Sequence, residues 1–180
     1  EQDPKVWGSF VWNMFDFAAD HRDEGDRPGI NDKGLVTHDR KIRKDAFYFY
    51  KASWTDEPVL HITSRRYNPR PAGTATVKVY SNAESVELSV GGEPLETGSR
   101  EGVVHEWEGV ELEPGTVEVT ATGRFEDKEL RETITWEVTA RYATLKFDDL
   151  YPQDGPEGVT AIEQTLYEML REQAIPHAWG

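Results

Sequence analysis

The 180 residues contain no cysteine, which excludes a disulfide framework, a cysteine-ligated zinc site and a cysteine nucleophile, and leaves the compartment open. Long hydrophobic runs are missing as well. Nothing approaches the ~18 consecutive apolar residues that span a bilayer, and the N-terminus lacks the basic-then-apolar layout of a leader, so no membrane partner is expected. Positive charge is scarce: 20 Lys and Arg stand against 34 Asp and Glu, a formal net charge of −14. Nucleic acid is therefore not an expected partner, because its phosphates would go unneutralised. Six Trp and seven Tyr remain as the informative residues, since amphipathic rings serve both as core and as platforms for sugar faces.

Three segments follow three hydrophobic patterns. In residues 1–57 the run from Gly8 to Phe15 reads as a short, nearly continuous apolar strand of the kind buried on both faces. Ala18 to Lys33 is dense in Asp, Arg, Gly and Pro, too polar to pack and too long for a simple connector, and is a candidate functional loop. From about Lys41 to Trp54, Phe47, Tyr50 and Trp54 fall at helical spacing, with Ala46 and Phe49 widening the face.

Residues 58–140 switch to a period of two. Leu60 and Ile62, then Ala75 to Val79, Val86 to Val90, Val117 to Ala121 and Ile134 to Val138 alternate with polar positions, separated by turn signals such as Gly91-Gly92 and Pro114-Gly115. About seven short strands in such a length is the pattern of an immunoglobulin-like β-sandwich, so the fold class is mainly β. The segment holds 15 acidic and 8 basic residues, half of the net charge, which reads as solvated outward strand positions. Trp107 and Trp136 sit within alternating stretches and are expected in the core.

Residues 141–180 begin with an alternating stretch into Asp148-Asp149, continue through a Pro- and Gly-rich loop, and reach a capping box at Thr160 to Glu163 with a helix to about Gln173. This reads as the start of a second α/β domain. The chain opens at Glu1 without a Met and closes just after an apolar stretch, which is expected of a window on a longer protein.

Three ordered blocks carry a family resemblance. Trp7 to Phe17 (WGSFVWNMFDF), Gly29 to Arg40 (GINDKGLVTHDR) and Lys44 to Lys51 (KDAFYFYK) resemble the end of the catalytic barrel of family 2 glycoside hydrolases, the β-galactosidase and β-glucuronidase family. The resemblance implies that residues 1–57 are the last strand, its long loop and the last helix of a (β/α)8 barrel, whose active site lies at the C-terminal ends of the strands. It implies further that Trp12 is part of the sugar-binding wall. Asn31 and Lys33 match the Asn-x-Lys pattern that in β-glucuronidases holds the substrate carboxylate. The surrounding residues look more like bacterial β-galactosidases, so a terminal β-galactoside is the first expectation for the parent protein and a glucuronide the second, with a plain ion pair of Lys33 with Asp32 or Asp39 as the remaining reading.

Retaining glycosidases need two carboxyl groups about 5–5.5 Å apart. In the family both are Glu residues on earlier barrel strands, which this chain lacks, and nothing marks Glu24 as either one. The chain alone is therefore expected to hydrolyse nothing, and no cofactor is expected for the glycosidase. The sandwich, with Lys78 to Val90 (KVYSNAESVELSV) as its most characteristic run, resembles the immunoglobulin-like domain that follows the barrel, with a packing and spacing role. A non-catalytic carbohydrate-binding module is the rival reading.

Ala143 to Leu150 (ATLKFDDL) resembles the opening of the polysaccharide deacetylase domain. That resemblance implies Asp148 as the catalytic base and Asp149 as a ligand of a divalent metal, usually zinc, although Leu150 replaces the family's Gly and zinc needs three protein ligands. Taken together, the resemblances imply a bacterial parent, periplasmic or secreted rather than cytoplasmic, acting on carbohydrate.

Overall fold

The alternating stretches from Leu60 onward form two packed sheets. A computed structural model describes residues 5, 8–21 and 28–140; residues 141–180, with the deacetylase-like stretch, Asp148 and Asp149, and residues 22–27, with Glu24, lie outside the described residues. In chain order the elements are β1 (Phe17–Ala18), β2 (Ile30–Asn31), α1 (Asp45–Trp54), β3 (Leu60–Ile62), β4 (Arg70–Pro71), β5 (Gly73–Ser81), β6 (Ser85–Val90), β7 (Glu93–Pro94), β8 (Ser99–Glu101), β9 (Val104–Leu112), β10 (Gly115–Arg124) and β11 (Glu129–Thr139).

One sheet has the order β4-β11-β10-β6-β7 and the other β3-β5-β9-β8. Neighbours run antiparallel, except that β4 lies parallel to β11 through Val138 and Arg70. The facing sides supply the core: Val77, Val79, Trp107, Val110 and Leu112 from one sheet, and Leu88, Val119, Ala121, Trp136 and Val138 from the other. Both Trp residues are thus core, as expected. Each buried Val or Leu removes enough apolar surface to contribute about 1.5–3 kcal/mol. The chain is a mainly β sandwich fragment, as its alternation predicts.

The sandwich contains more strands than the five stretches that alternation marks clearly, and β9 shows why. Ala75 pairs with Val110 but Val77 pairs with Trp107, so Glu108 and Gly109 together face one residue of β5. This bulge, made cheap by Gly109 at φ 71°, points Trp107 and Val110 to the same face although they are three residues apart. A period of two does not survive such an insertion.

β9 also buries His105, whose Nε2 has no hydrogen-bond partner among the described residues. Burial, reinforced by the charge of Arg100, pushes its pKa below the ordinary 6.5, against a smaller opposing effect of a backbone hydrogen bond at Ser81. Below that pH the unfolded chain takes up a proton that the folded chain refuses, so stability present above pH 6.5 is lost as the pH falls. Urea unfolding is expected to give a lower stability at pH 5.5 than at 7.5, with a slope of at most about 1.4 kcal/mol per pH unit. The His105→Gln variant should flatten that slope; equal slopes in the two proteins would refute the assignment.

The N-terminal flank departs from the sequence reading in two ways. Residues 8–14 do not form a strand; the available backbone partners are Leu35 and Val36, whose N–H groups donate to Asn13 and Met14 carbonyls at 3.0 Å each. Regular structure there is limited to β1, which pairs with β2 through Phe17–Asn31 and Ala18–Ile30. The helix starts at Asp45 rather than Lys41, because Ile42 and Lys44 are engaged by backbone hydrogen bonds to Thr37 and Leu35. Of the predicted face of Phe47, Tyr50 and Trp54, widened by Ala46 and Phe49, only Phe49 has a ring contact with the sandwich among the described residues. The helix meets the sandwich through Tyr48, stacked on His61 at 3.8 Å, through Phe49 against Tyr80 at 5.5 Å, and through buried Ala52, while Trp54 is left 58% exposed. Four consecutive aromatics at 47–50 give a helix two apolar faces, and periodicity alone does not choose between them.

Candidate functional site

The site is organised by a buried carboxylate that follows the apolar run. Asp16 is buried, and its Oδ1 accepts the Gly34 N–H at 2.8 Å and the Lys44 Nζ at 2.7 Å. Lys44 Nζ also donates to the Asp32 carbonyl. One ammonium thus holds both the start of the loop and its return. Gly34 is required here on steric grounds, since a Cβ would stand 2.1 Å from the Asp16 nitrogen and 2.2 Å from the Phe15 carbonyl carbon. Arg40 closes the outer side, its guanidinium 3.9 Å from the Phe15 ring centroid.

On this frame the structure leaves Trp12 open to solvent and buries Asn31, so that of the sequence-predicted sugar residues Trp12 and Lys33 are the exposed ones. Trp12 is 75% exposed and meets Phe17 edge-on, with ring centroids 6.2 Å apart. Phe17 is the strand partner of Asn31, which places their Cα atoms about 5 Å apart. Asn31 is 2% exposed, and its Oδ1 accepts the Lys33 N–H at 3.1 Å, so the Asn-x-Lys pattern is a built turn with the Lys33 side chain exposed beyond it. The segment offers an exposed indole and, on the loop that pairs with its strand, an exposed lysine, residue types suited to the apolar face of a sugar and an electron-rich substituent on its rim. Among the described residues no group of three or more His, Asp or Glu is placed to hold a metal, and no helix is long and apolar enough to cross a membrane.

Asp45, adjacent to Lys44, binds the sandwich. Its Oδ1 accepts His61 Nε2 at 2.8 Å and its Oδ2 accepts the Ser64 N–H at 2.8 Å. Burial pulls the Asp45 carboxyl upward, but the hydrogen bonds from His61 and Ser64, with the charges of His61 and Arg65, together outweigh it and hold the pKa below the ordinary carboxylate value. Lys44 and Asp45 therefore act as two adjacent anchors, one for the loop that carries Lys33 and one for the segment entering β4. Sequence reasoning missed Asp16, Lys44 and Asp45; the one available signal was an opposite-charge pair at a helix start that has no Ser, Thr, Asp or Asn cap.

Around these anchors a flank of large apolar side chains faces solvent. Phe10 is 95% exposed, and together with Trp12, Phe49, Tyr50 and Trp54 it lines a cleft of about 610 Å³. Such a surface on an isolated domain is normally covered by another part of a protein. The comparisons agree with a longer parent. The chain is similar to glycosidases. It is 46% identical over 145 residues to a β-glucuronidase of Bacteroides fragilis, an alignment that covers 77% of this chain and 20% of that protein. A solved structure described as a β-galactosidase of Bacteroides fragilis matches with a TM-score of 0.68 and 36% identity, over 73% of this chain and 20% of that one. A Bacteroides uniformis β-glucuronidase matches with a TM-score of 0.67 and 34% identity, over 77% of this chain and 17% of that one. A family profile described as a domain of unknown function, DUF4982, matches residues 73–130, within the sandwich. The chain thus spans about a fifth of the length of these relatives.

Proposed function

We propose that the chain is a piece of a retaining β-glycosidase that cleaves terminal β-glucuronides, in which Trp12 stacks on the sugar and Lys33, held by the Asn31 turn, receives its carboxylate. The observation that carries this reading is the shared placement of Trp12, Asn31 and Lys33 on one loop frame around Asp16. An ammonium donating to a carboxylate forms a charge-assisted hydrogen bond of about 1.5–3 kcal/mol. The β-glucuronidase relatives support the carboxylate. A terminal β-galactoside is the second reading, supported by the galactosidase-like residues around Lys33 and by the relative described as a β-galactosidase.

Hydrolysis with retention needs a pair of carboxyl groups on either side of the scissile bond. The family resemblance puts both on the preceding barrel strands, so this chain supplies part of the sugar wall and a packed sandwich, and by itself is inactive. The Phe10, Tyr50 and Trp54 flank is where the rest of that barrel seats. No cofactor enters this chemistry.

The deciding experiment is Lys33→Met in the full-length parent. Its kcat/KM on an aryl β-glucuronide is expected to fall about 10- to 100-fold, with activity on the matching β-galactoside changed less than about threefold. An equal loss on both sugars would sink the carboxylate role of Lys33, and a wild-type parent that prefers the galactoside would give the specificity to the second reading.

A further inference from the structure

Within a chain of net charge −14, residues 58–83 contain no Asp or Glu, yet they carry Arg65, Arg66, Arg70 and Lys78. Three of these cations fall in one short stretch, Ser64 to Arg70, which follows β3 and ends on the first residue of β4. The loop is firmly built. Arg70 is buried and donates from Nη2 to the Ser64 and Tyr67 carbonyls at 2.9 and 3.0 Å, and Asn68 Oδ1 accepts the Glu137 N–H at 2.7 Å. The Arg70 guanidinium lies 3.4 Å from the Trp136 ring centroid below it and 5.3 Å from that of Tyr67, which remains 51% exposed.

The charges of this loop are not evenly compensated. Arg65 is neutralised by Glu132. Among the described residues Arg70 has no carboxylate partner and its Nε has no hydrogen-bond partner. Arg66 is exposed and makes no hydrogen bond, ion pair or ring contact among the described residues. The loop therefore presents an exposed aromatic ring at Tyr67 with the Arg70 guanidinium 5.3 Å from its centroid and a second, exposed arginine, Arg66, at the preceding residue. That combination suits a sugar ring bearing a negative charge: the ring stacks, and a planar guanidinium donates two parallel hydrogen bonds to a carboxylate or sulfate.

Its position relative to the sugar site follows from the two adjacent anchors. Lys44 holds the Asp32 carbonyl, next to Lys33, and Asp45 holds the Ser64 N–H, two residues before Arg66. Lys44 and Asp45 are adjacent at the start of α1, so both tethered segments are held at the same end of that helix, and Arg66 lies two residues, at most about 7 Å of chain, beyond Ser64. We infer that Arg66 and Tyr67 form a binding site for an acidic sugar on the substrate's leaving-group side, which makes Arg66 a specificity-determining residue for saccharides with a charged penultimate unit. This rests on the glycosidase reading above and adds the substrate class beyond the terminal sugar.

The test uses the full-length parent with two substrates that share the terminal sugar, one with a neutral aryl leaving group and one with a uronate leaving group, and measures binding of the second independently in a titration calorimeter. For Arg66→Ala the uronate substrate should lose about 10-fold or more in kcat/KM, through KM, with the aryl substrate within about twofold. Arg66→Lys should recover part of the loss, and Tyr67→Ala should weaken the same substrate selectively. If the parent cleaves both substrates and Arg66→Ala treats them alike, the loop site is overturned and the glycosidase reading stands. If the parent cleaves neither but binds the uronate ligand in a way that Arg66→Ala weakens about 10-fold, the loop site stands and the glycosidase reading falls. Neither cleavage nor binding overturns both.

Discussion

Exchanging Lys44 for methionine is expected to cost about 3 kcal/mol in urea unfolding, far more than an exposed ion pair would. Its side chain is 14% exposed and that of Asp16 6%, so removal of one partner leaves a charge in a poorly hydrated place where the Gly34 N–H is the one remaining donor among the described residues. Adding Asp16→Asn to the Lys44→Met variant should restore most of the loss, because the charge left behind, more than the missing bond, carries the penalty. A loss below about 1 kcal/mol for Lys44→Met, or no recovery in the double variant, would count against the frame described here. In the full-length parent the same variant should lower kcat/KM, since the loop with Asn31 and Lys33 loses its second tether at Asp32.

Arg70→Ala is expected to destabilise the sandwich by about 3 kcal/mol, whereas Arg70→Met should be neutral or stabilising. The guanidinium fills the space between Trp136 and the loop above it and supplies two hydrogen bonds to loop carbonyls. Alanine removes that packing and opens a void on the 1% exposed Trp136. Methionine keeps most of the volume and removes a buried charge that has no carboxylate, a charge whose burial lowers the pKa to about 10 while leaving it protonated at neutral pH. Thermal unfolding of the three proteins distinguishes the cases: if methionine is as damaging as alanine, the charge itself or its hydrogen bonds hold the loop. In the parent, Arg70→Met should also weaken the acidic-sugar site without unfolding it.

The degree to which the fold was legible varied with how local its cause is. β5, β6, β10 and β11 were visible because the core residues each contributes (Val77 and Val79, Val86 and Leu88, Val119 and Ala121, Trp136 and Val138) stand two apart, and side-chain alternation is then set strand by strand. β9 was hidden by the bulge at Gly109, and the sequence did not separate the helix face that meets the sandwich from the face of Phe47, Tyr50 and Trp54, because Phe47, Tyr48, Phe49 and Tyr50 offer two choices. The apolar run at residues 8–15 looked like a strand, but a strand exists only where a neighbour takes its hydrogen bonds, and here that neighbour reaches no further than Leu35 and Val36.

The candidate site divides in the same way. Trp12, Asn31 and Lys33 could be named from three ordered blocks of sequence, because residue type and spacing carry a family resemblance. Asp16, Lys44, Asp45 and Arg70 could not, since each owes its role to a partner 6 to 28 residues away. By itself the sequence determined the sandwich class, the acidic surface, the exclusion of cysteine chemistry and the chemical types present at the sugar wall, all of which depend on composition and short-range period. Only the tertiary structure decided which charges are paired, which ring of a run faces inward and which arginines lack a counter-ion, because burial and proximity are properties of the folded chain and not of its order.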